Sequence, residues 1–161
     1  MSKKDVSPSD ISVSDFSIFD GLFTRGYTQS APLKVLSIPE ENLDLIVVYR
    51  TLSPLELRDI FEEVFKFNST VGQAVTEQLE TLARAIVTIN GQPLAMAKPD
   101  VDKFYEAHKR YPSPLEMARY VIKNKIMSIP VLDTLYGRYN EYASSIVDTF
   151  DDLKKKSEEK E

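Results

Sequence analysis

The chain has no cysteine, no tryptophan and a single histidine in 161 residues. Without cysteine there is no disulfide framework, no thiolate zinc site and no cysteine nucleophile, and the composition fits a reducing compartment. The histidine, His108, lies in Glu106-Ala107-His108-Lys109-Arg110, with no neighbour that offers a nucleophile or a second acid. Near a helix end its imidazole is mildly stabilising, and a surface role is expected. Glycine is scarce as well, and Gly72 and Gly91 stand alone, so no phosphate-cradling loop is present. The longest apolar run, Leu45-Ile46-Val47-Val48-Tyr49, falls far short of the ~20 residues that span a bilayer. No apolar stretch follows Met1-Ser2-Lys3-Lys4, so no secretory signal is read there. Lysine and arginine number 20 against 25 acidic residues, a net charge of −5. That balance lacks the electrostatic footprint of a nucleic-acid binder. Lys103, Lys109, Arg110, Arg119, Lys123 and Lys125, interleaved with Tyr105, Tyr111 and Tyr120, read as a solvated face. Asp148, Asp151 and Asp152 lack the glycine and ligand alternation of a calcium loop. Glu62 and Glu63 are likewise a solvated helix face. No catalytic constellation, cofactor, metal, membrane or small-molecule substrate is therefore expected.

What the chain does have is periodicity. The clearest segment is 130–155, where Leu132, Tyr136, Tyr139, Ala143, Ile146, Phe150 and Leu153 are spaced alternately four and three apart. That is a heptad seam. Val131, Leu135, Tyr142 and Val147 widen it, which favours a helix packed in a globular core. Pro130 suits the first helical position, with Ser128 or Ile129 just outside. Asp133 near the start and Lys154, Lys155 and Lys156 near the end suit the helix dipole. Gly137 is the weak point. The rest of the chain is expected to organise around this segment.

Two further helix starts share one signature. Ser53-Pro54-Leu55-Glu56 and Ser113-Pro114-Leu115-Glu116 each place serine at the N-cap, proline at the first helical position and glutamate at the third, a capping box. The shared stretch ends after four residues and reads as two convergent helix starts rather than a duplication. After the first, Leu57, Ile60, Phe61 and Val64 form one apolar face, fading at Phe65 and Phe67; after the second, Leu115, Ala118, Val121, Ile122 and Ile126 do the same. Between them Val71, Val75, Leu79, Leu82, Ile86 and Ile89 predict a helix over about 70–88, although 86–89 serves equally as the start of a strand. Asn90-Gly91 is a tight-turn signal that leaves a small hairpin over 86–96 as an option. A shorter helix opens at Pro99 or Asp100 and carries Val101, Phe104 and Tyr105. Residues 33–50 predict two short strands around a turn at Pro39-Glu40-Glu41-Asn42.

Residues 1–31 read as an extended arm. Serine, aspartate and proline are frequent, yet Ile11, Val13, Phe16, Ile18, Phe19, Leu22 and Phe23 run through it. Such an arm either lies across its own domain or docks on another subunit by strand addition or aromatic anchors. The fold class is thus mainly α: a compact bundle of about five helices over 32–155, a small β element, the N-terminal arm, and a charged solvated tail over 156–161. Sixteen aromatic residues, eight Tyr and eight Phe, suit a protein that binds other proteins. The residues expected to carry that binding are Phe16, Phe19 and Phe23 in the arm and Tyr136, Tyr139 and Tyr142 on the last helix.

One longer pattern resembles a known family. Ile46-Val47-Val48-Tyr49-Arg50-Thr51-Leu52-Ser53-Pro54-Leu55-Glu56 is similar to the opening of small tail-assembly chaperones of tailed bacteriophages, and of related proteins that build tail tubes and baseplates. Leu82-Ala83-Arg84-Ala85-Ile86-Val87, Asn90-Gly91-Gln92-Pro93, Pro112-Ser113-Pro114-Leu115-Glu116-Met117-Ala118-Arg119 and Pro130-Val131-Leu132-Asp133-Thr134-Leu135-Tyr136 extend the resemblance over roughly residues 33–153. The arm over 1–31 has no counterpart in it. The resemblance implies a non-enzymatic role: a helical clamp that coats the tape-measure protein, keeps its amphipathic helices soluble and helps tube subunits polymerise. It implies phage tail or baseplate components, or a second copy, as partners, no nucleic acid, and the host cytoplasm as location. The alternative is a structural adaptor that stays in the virion and docks through its arm.

Overall fold

The computed structural model describes residues 28–34, 44–126 and 128–158. Strand β1 (Thr28–Lys34) is followed by β2 (Asp44–Arg50), helix α1 (Pro54–Val64), α2 (Thr70–Ala85), strand β3 (Ile86–Ile89), then α3 (Lys98–His108), α4 (Pro114–Lys125) and α5 (Ile129–Glu158). The mainly α class with a small β element is what the chain forms. The three strands make one antiparallel sheet in the order β1-β2-β3. β1 takes in residues 28–31, so the end of the expected arm is an edge strand of the domain's own sheet. Pro32, lacking an N–H, fits such an edge. The turn expected at 39–42 and the alternating residues after Lys34 lie outside the described residues.

Residues 86–89 become strand, and α2 runs straight into it. Ile86 caps the helix with an extended backbone, and the β-branched run Ile86-Val87-Thr88-Ile89 carries on. Asn90 and Gly91 both take positive φ, as a primed turn requires. Beyond that turn the chain makes one bridge, Ile89 to Gln92, while β3 pairs with β2. Asn90 prolongs that ladder: its amide donates to the Ile46 carbonyl at 2.8 Å, and its Oδ1 accepts from the Ile46 amide at 2.9 Å.

The hub of the fold is α2 rather than the last helix. It packs against α1, α4 and α5, and all of Glu80, Thr81, Leu82, Ala83, Arg84 and Ala85 are buried. Val47 and Tyr49 of β2, Leu82 of α2, Ile122 of α4 and Leu135 of α5 are the largest side chains removed from water. Among the described side chains of α5 the buried ones are Leu132, Leu135, Tyr139 and Tyr142; the seam residues Phe150 and Leu153 lie outside them. The buried stripe is therefore rotated from the heptad seam, whose Tyr136, Ala143 and Ile146 are half-buried beside it. A straight helix of 3.6 residues per turn drifts away from a 3.5-residue seam, and the globular core follows the helix. Gly137 faces open space.

Both capping boxes form, with the serine side chain accepting from the third helical amide and the glutamate reaching back to the serine N–H. Each box also carries an arginine clasp. Arg50 grips Glu56 with two bonds, one of 3.0 Å, and donates to the Thr51 carbonyl at 3.2 Å. Arg110 grips Glu116 at 2.8 and 2.6 Å and donates to the Tyr111 carbonyl at 3.3 Å. The repeated unit is thus Arg-x-x-Ser-Pro-Leu-Glu, three residues longer than the serine-led echo.

Burial alone would raise the Glu56 pKa, but the bonds from Arg50 and from the Ser53 amide outweigh it and hold the carboxyl at about 2, below its ordinary 4.5. Glu116 is held low first by Arg110 and then by Ser113. A carboxyl lowered by folding contributes stability that is complete above its unfolded pKa and is lost as pH falls through its folded one. Urea titrations should therefore show stability falling from pH 4.5 towards about 2. Arg50→Gln should flatten that limb while lowering stability at neutral pH; an unchanged acid limb in the variant would remove the clasp from the account.

Candidate protein-interaction surface

The two groups of aromatic residues singled out in the sequence have different fates. Phe16, Phe19 and Phe23 lie outside the described residues. Tyr139 and Tyr142 are core residues, and both rings pack on Tyr49, with centroids 6.0 and 6.1 Å away. The buried Tyr49 hydroxyl donates to the Leu135 carbonyl at 3.1 Å. Tyr136 is half-buried and donates to Glu77 at 2.9 Å. Burial and that carboxylate raise its pKa to about 12. Tyr139 and Tyr142 therefore hold the chain itself together, while Tyr136 keeps part of its ring at the surface.

His108 is exposed and stacks on Phe104 with centroids 4.1 Å apart. The basic stretch of α3 and α4 is partly neutralised internally: Arg110 is taken by Glu116 and Arg119 by Glu80. Among the described residues no three His, Asp or Glu side chains group to hold a metal ion.

Glu80 is the charge the sequence reading passed over. It is 6 % exposed and binds two arginines. Arg84, also buried, binds its Oε2 and donates to its backbone carbonyl at 3.0 Å. Arg119 reaches from α4 with Nε at 2.8 Å and Nη2 at 2.7 Å. Burial would raise the Glu80 pKa, but the bonds from Arg119 and Arg84 lower it overall. Glu80 to Arg84 is an i,i+4 pair legible in the sequence; the third member comes from another helix and is not. The cluster joins α2 to α4.

On either side of this cluster are two concavities. One, of 410 Å³, is bordered by the Arg50–Glu56 clasp, Arg84, Ile86, Leu94 and Leu115. Its two arginines are already paired with carboxylates. The other, of 610 Å³, is a groove over α2 between the end of α1 and α4, lined by Phe67, Val75, Leu79, Tyr120, Lys123 and Glu63 among others.

The most distinctive surface is the outer flank of α1. The sequence places Leu57, Ile60, Phe61 and Val64 on one apolar face. In the structure α2 covers only half of it. Ile60 and Val64 are buried, whereas Leu57, Phe61 and Phe65 stay exposed, at 43, 52 and 74 %. These three recur every fourth residue and so form one ridge along the helix, and the Phe61 and Phe65 rings stack at 6.4 Å. Val71, at the start of α2, is 75 % exposed. Contiguous exposed apolar residues with a polar border mark interaction sites on folded proteins. Arg58, Asp59 and Glu62 supply that border and pair among themselves. Burying either phenylalanine is worth roughly 1.5–3 kcal/mol.

No protein-family model, curated protein or solved structure matches the chain. No helix among the described residues is long and apolar enough to cross a membrane.

Proposed function

We propose that this chain is a non-enzymatic protein-binding factor that presents the α1 ridge to the apolar face of a client helix. The observation that carries the reading is the ridge of Leu57, Phe61 and Phe65, a row of large exposed apolar side chains at helical spacing that no described element covers. An amphipathic helix laid along such a row buries its apolar side chains at i, i+3, i+4 and i+7. This suits the tail-assembly role that the sequence resemblance implies, in which the clients are tape-measure helices of a tailed phage and the chain keeps them soluble in the host cytoplasm. The structural-adaptor alternative turns on the arm, most of which lies outside the described residues.

The test uses a synthetic amphipathic helix of leucine, alanine and lysine as probe. Binding should weaken by about tenfold or more in Phe61→Ser with Phe65→Ser, as expected when hot-spot aromatics are lost. The melting temperature should hardly move, because both rings already face water. Equal binding by the variant sinks the ridge as the docking surface. For the assembly role, a tape-measure fragment co-expressed with the chain should stay soluble, and its precipitation with and without the chain alike would remove that role.

A further inference from the structure

The exposed apolar surface does not end with the ridge. Phe65, the C-cap of α1, leads through the turn to Phe67, which is also exposed. Phe67 lies against Gly72 in the first turn of α2, where an added Cβ would meet its ring at 3.3 Å. Val71 and Val75 stand one turn apart on α2, and both are exposed. Phe67, Gly72 and Val75 line the mouth of the larger groove together. Ridge, turn and the start of α2 therefore present Leu57, Phe61, Phe65, Phe67, Val71 and Val75 as one run of exposed apolar residues that no described element covers.

Size decides what fits there. A phenylalanine side chain presents about 150–250 Å², so the exposed shares of Phe61, Phe65 and Phe67 open roughly 300–400 Å². Leu57, Val71 and Val75 raise the apolar area to roughly 600 Å². A single client helix is about 10 Å wide, and laid along the ridge it leaves Phe67, Val71 and Val75 open. A standard interface buries about 800 Å² per partner, of which about 65 % is apolar in homodimers. The whole run matches that need. Charge does not oppose self-pairing either. The bordering Arg58, Asp59, Glu62, Glu63 and Lys66 are of mixed sign and pair within the chain, so two copies meet without a field of one sign between them.

We propose that this surface pairs with the same surface of a second copy, as a two-fold dimer in which the two α1 helices run antiparallel. A parallel pair sets Arg58, Glu62 and Lys66 each against its own kind, whereas an antiparallel pair interleaves them. Centred between Phe61 and Phe65, it lays Phe61 of each copy against Phe65 of the other, with Phe67, Val71 and Val75 closing the flank. A two-fold interface of this kind closes on itself and builds no filament. Where the ridge takes a client helix, client and second copy exclude each other; that competition rests on the client reading, and the dimer does not.

Sedimentation equilibrium of the full chain tests the pairing. The weight-average mass should climb from 18.3 kDa towards twice that value between about 1 and 100 μM. Below that range the chain is a monomer with its ridge open to the probe helix. Val71→Arg puts a charge in the pairing surface but not on the ridge. It should weaken the dimer by about tenfold or more while the probe helix binds as before. Because the chain has no cysteine, oxidation reads the orientation: Phe61→Cys mixed with Phe65→Cys should give the mixed disulfide in preference to either symmetric one. A native chain that stays at 18.3 kDa throughout overturns the dimer, and the client reading survives if the probe still binds. A dimer equally strong in Val71→Arg lies elsewhere on the chain and overturns the proposal too, as do symmetric disulfides in place of the mixed one. A dimer whose dilute monomer takes no probe helix removes the client reading and leaves the pairing.

Discussion

Glu80→Gln should destabilise the fold by about 3–5 kcal/mol, the cost of removing one partner from a buried ion cluster. The reason is what it leaves behind. Arg84 has 7 % of its side chain exposed, and its guanidinium would keep its charge with no carboxylate to meet it. Arg119 is less affected, since 33 % of its side chain reaches water. The loss should come from the joint between α2 and α4. A second variant separates the worth of the cluster from the penalty of a stranded charge. Glu80→Leu with Arg84→Leu removes both buried ions and fills the space with apolar atoms, and it should recover most of the lost stability. Urea denaturation of the three proteins measures this. A Glu80→Gln loss under about 1 kcal/mol would mean that water reaches the cluster and the surface-pair scale applies. If Arg84 is the stranded group, the double variant is the more stable of the two.

How far the sequence reveals this cluster differs residue by residue. Glu80 stands one position after Leu79 and two before Leu82, where the helical period puts a residue near the edge of the apolar stripe. A glutamate there reads as solvated, because glutamate is almost never fully buried unless paired. Arg84 as an i,i+4 partner was readable; Arg119 was not, because nothing local records that α4 would lie across α2. The capping boxes at Ser53 and Ser113 were legible for the opposite reason: every part of them lies within four residues. Their arginine clasps are less local, spanning six positions and beginning before the serine that marks the helix start.

The ridge and the tyrosines show the same limit from two sides. Periodicity identifies which residues share a helix face, and it placed Leu57 and Phe61 correctly beside Ile60 and Val64. It carries no information on whether a neighbour covers the whole face. Among the described elements only α2 packs closely on α1, and the outer half of that face is exposed. Conversely, tyrosine is enriched at interfaces, and three of them on one helix suggested a docking surface. Tyrosine is just as well placed in a core where its hydroxyl finds a partner, and β2 supplied the third ring that drew Tyr139 and Tyr142 inwards. Strand β2 was predicted from its β-branched residues, but its packing on α5 spans 86 positions in the chain between Tyr49 and Leu135.

That contact carries the second large prediction. Tyr49→Ala should cost about 3–5 kcal/mol, in the range of other buried aromatic truncations. Tyr49 is 0 % exposed, and its ring is shared by Tyr139 and Tyr142, so its removal leaves a cavity between the sheet and α5 that two rigid rings are poorly shaped to refill. Against a total stability of about 5–15 kcal/mol for a domain of this kind, the loss is a large share. Tyr49→Phe keeps the ring and deletes only the hydrogen bond to the Leu135 carbonyl. It should cost about 1 kcal/mol, because that carbonyl lies within a helix and has the amide four residues on as its other partner. The gap between the two variants, read from urea midpoints at constant m, is the worth of the ring as the keystone between β2 and α5. If phenylalanine costs as much as alanine, the hydrogen bond and not the packing holds the last helix to the sheet. If neither costs more than about 1 kcal/mol, α5 is not anchored through Tyr49, and the core must close around Leu82 and Ile122 alone.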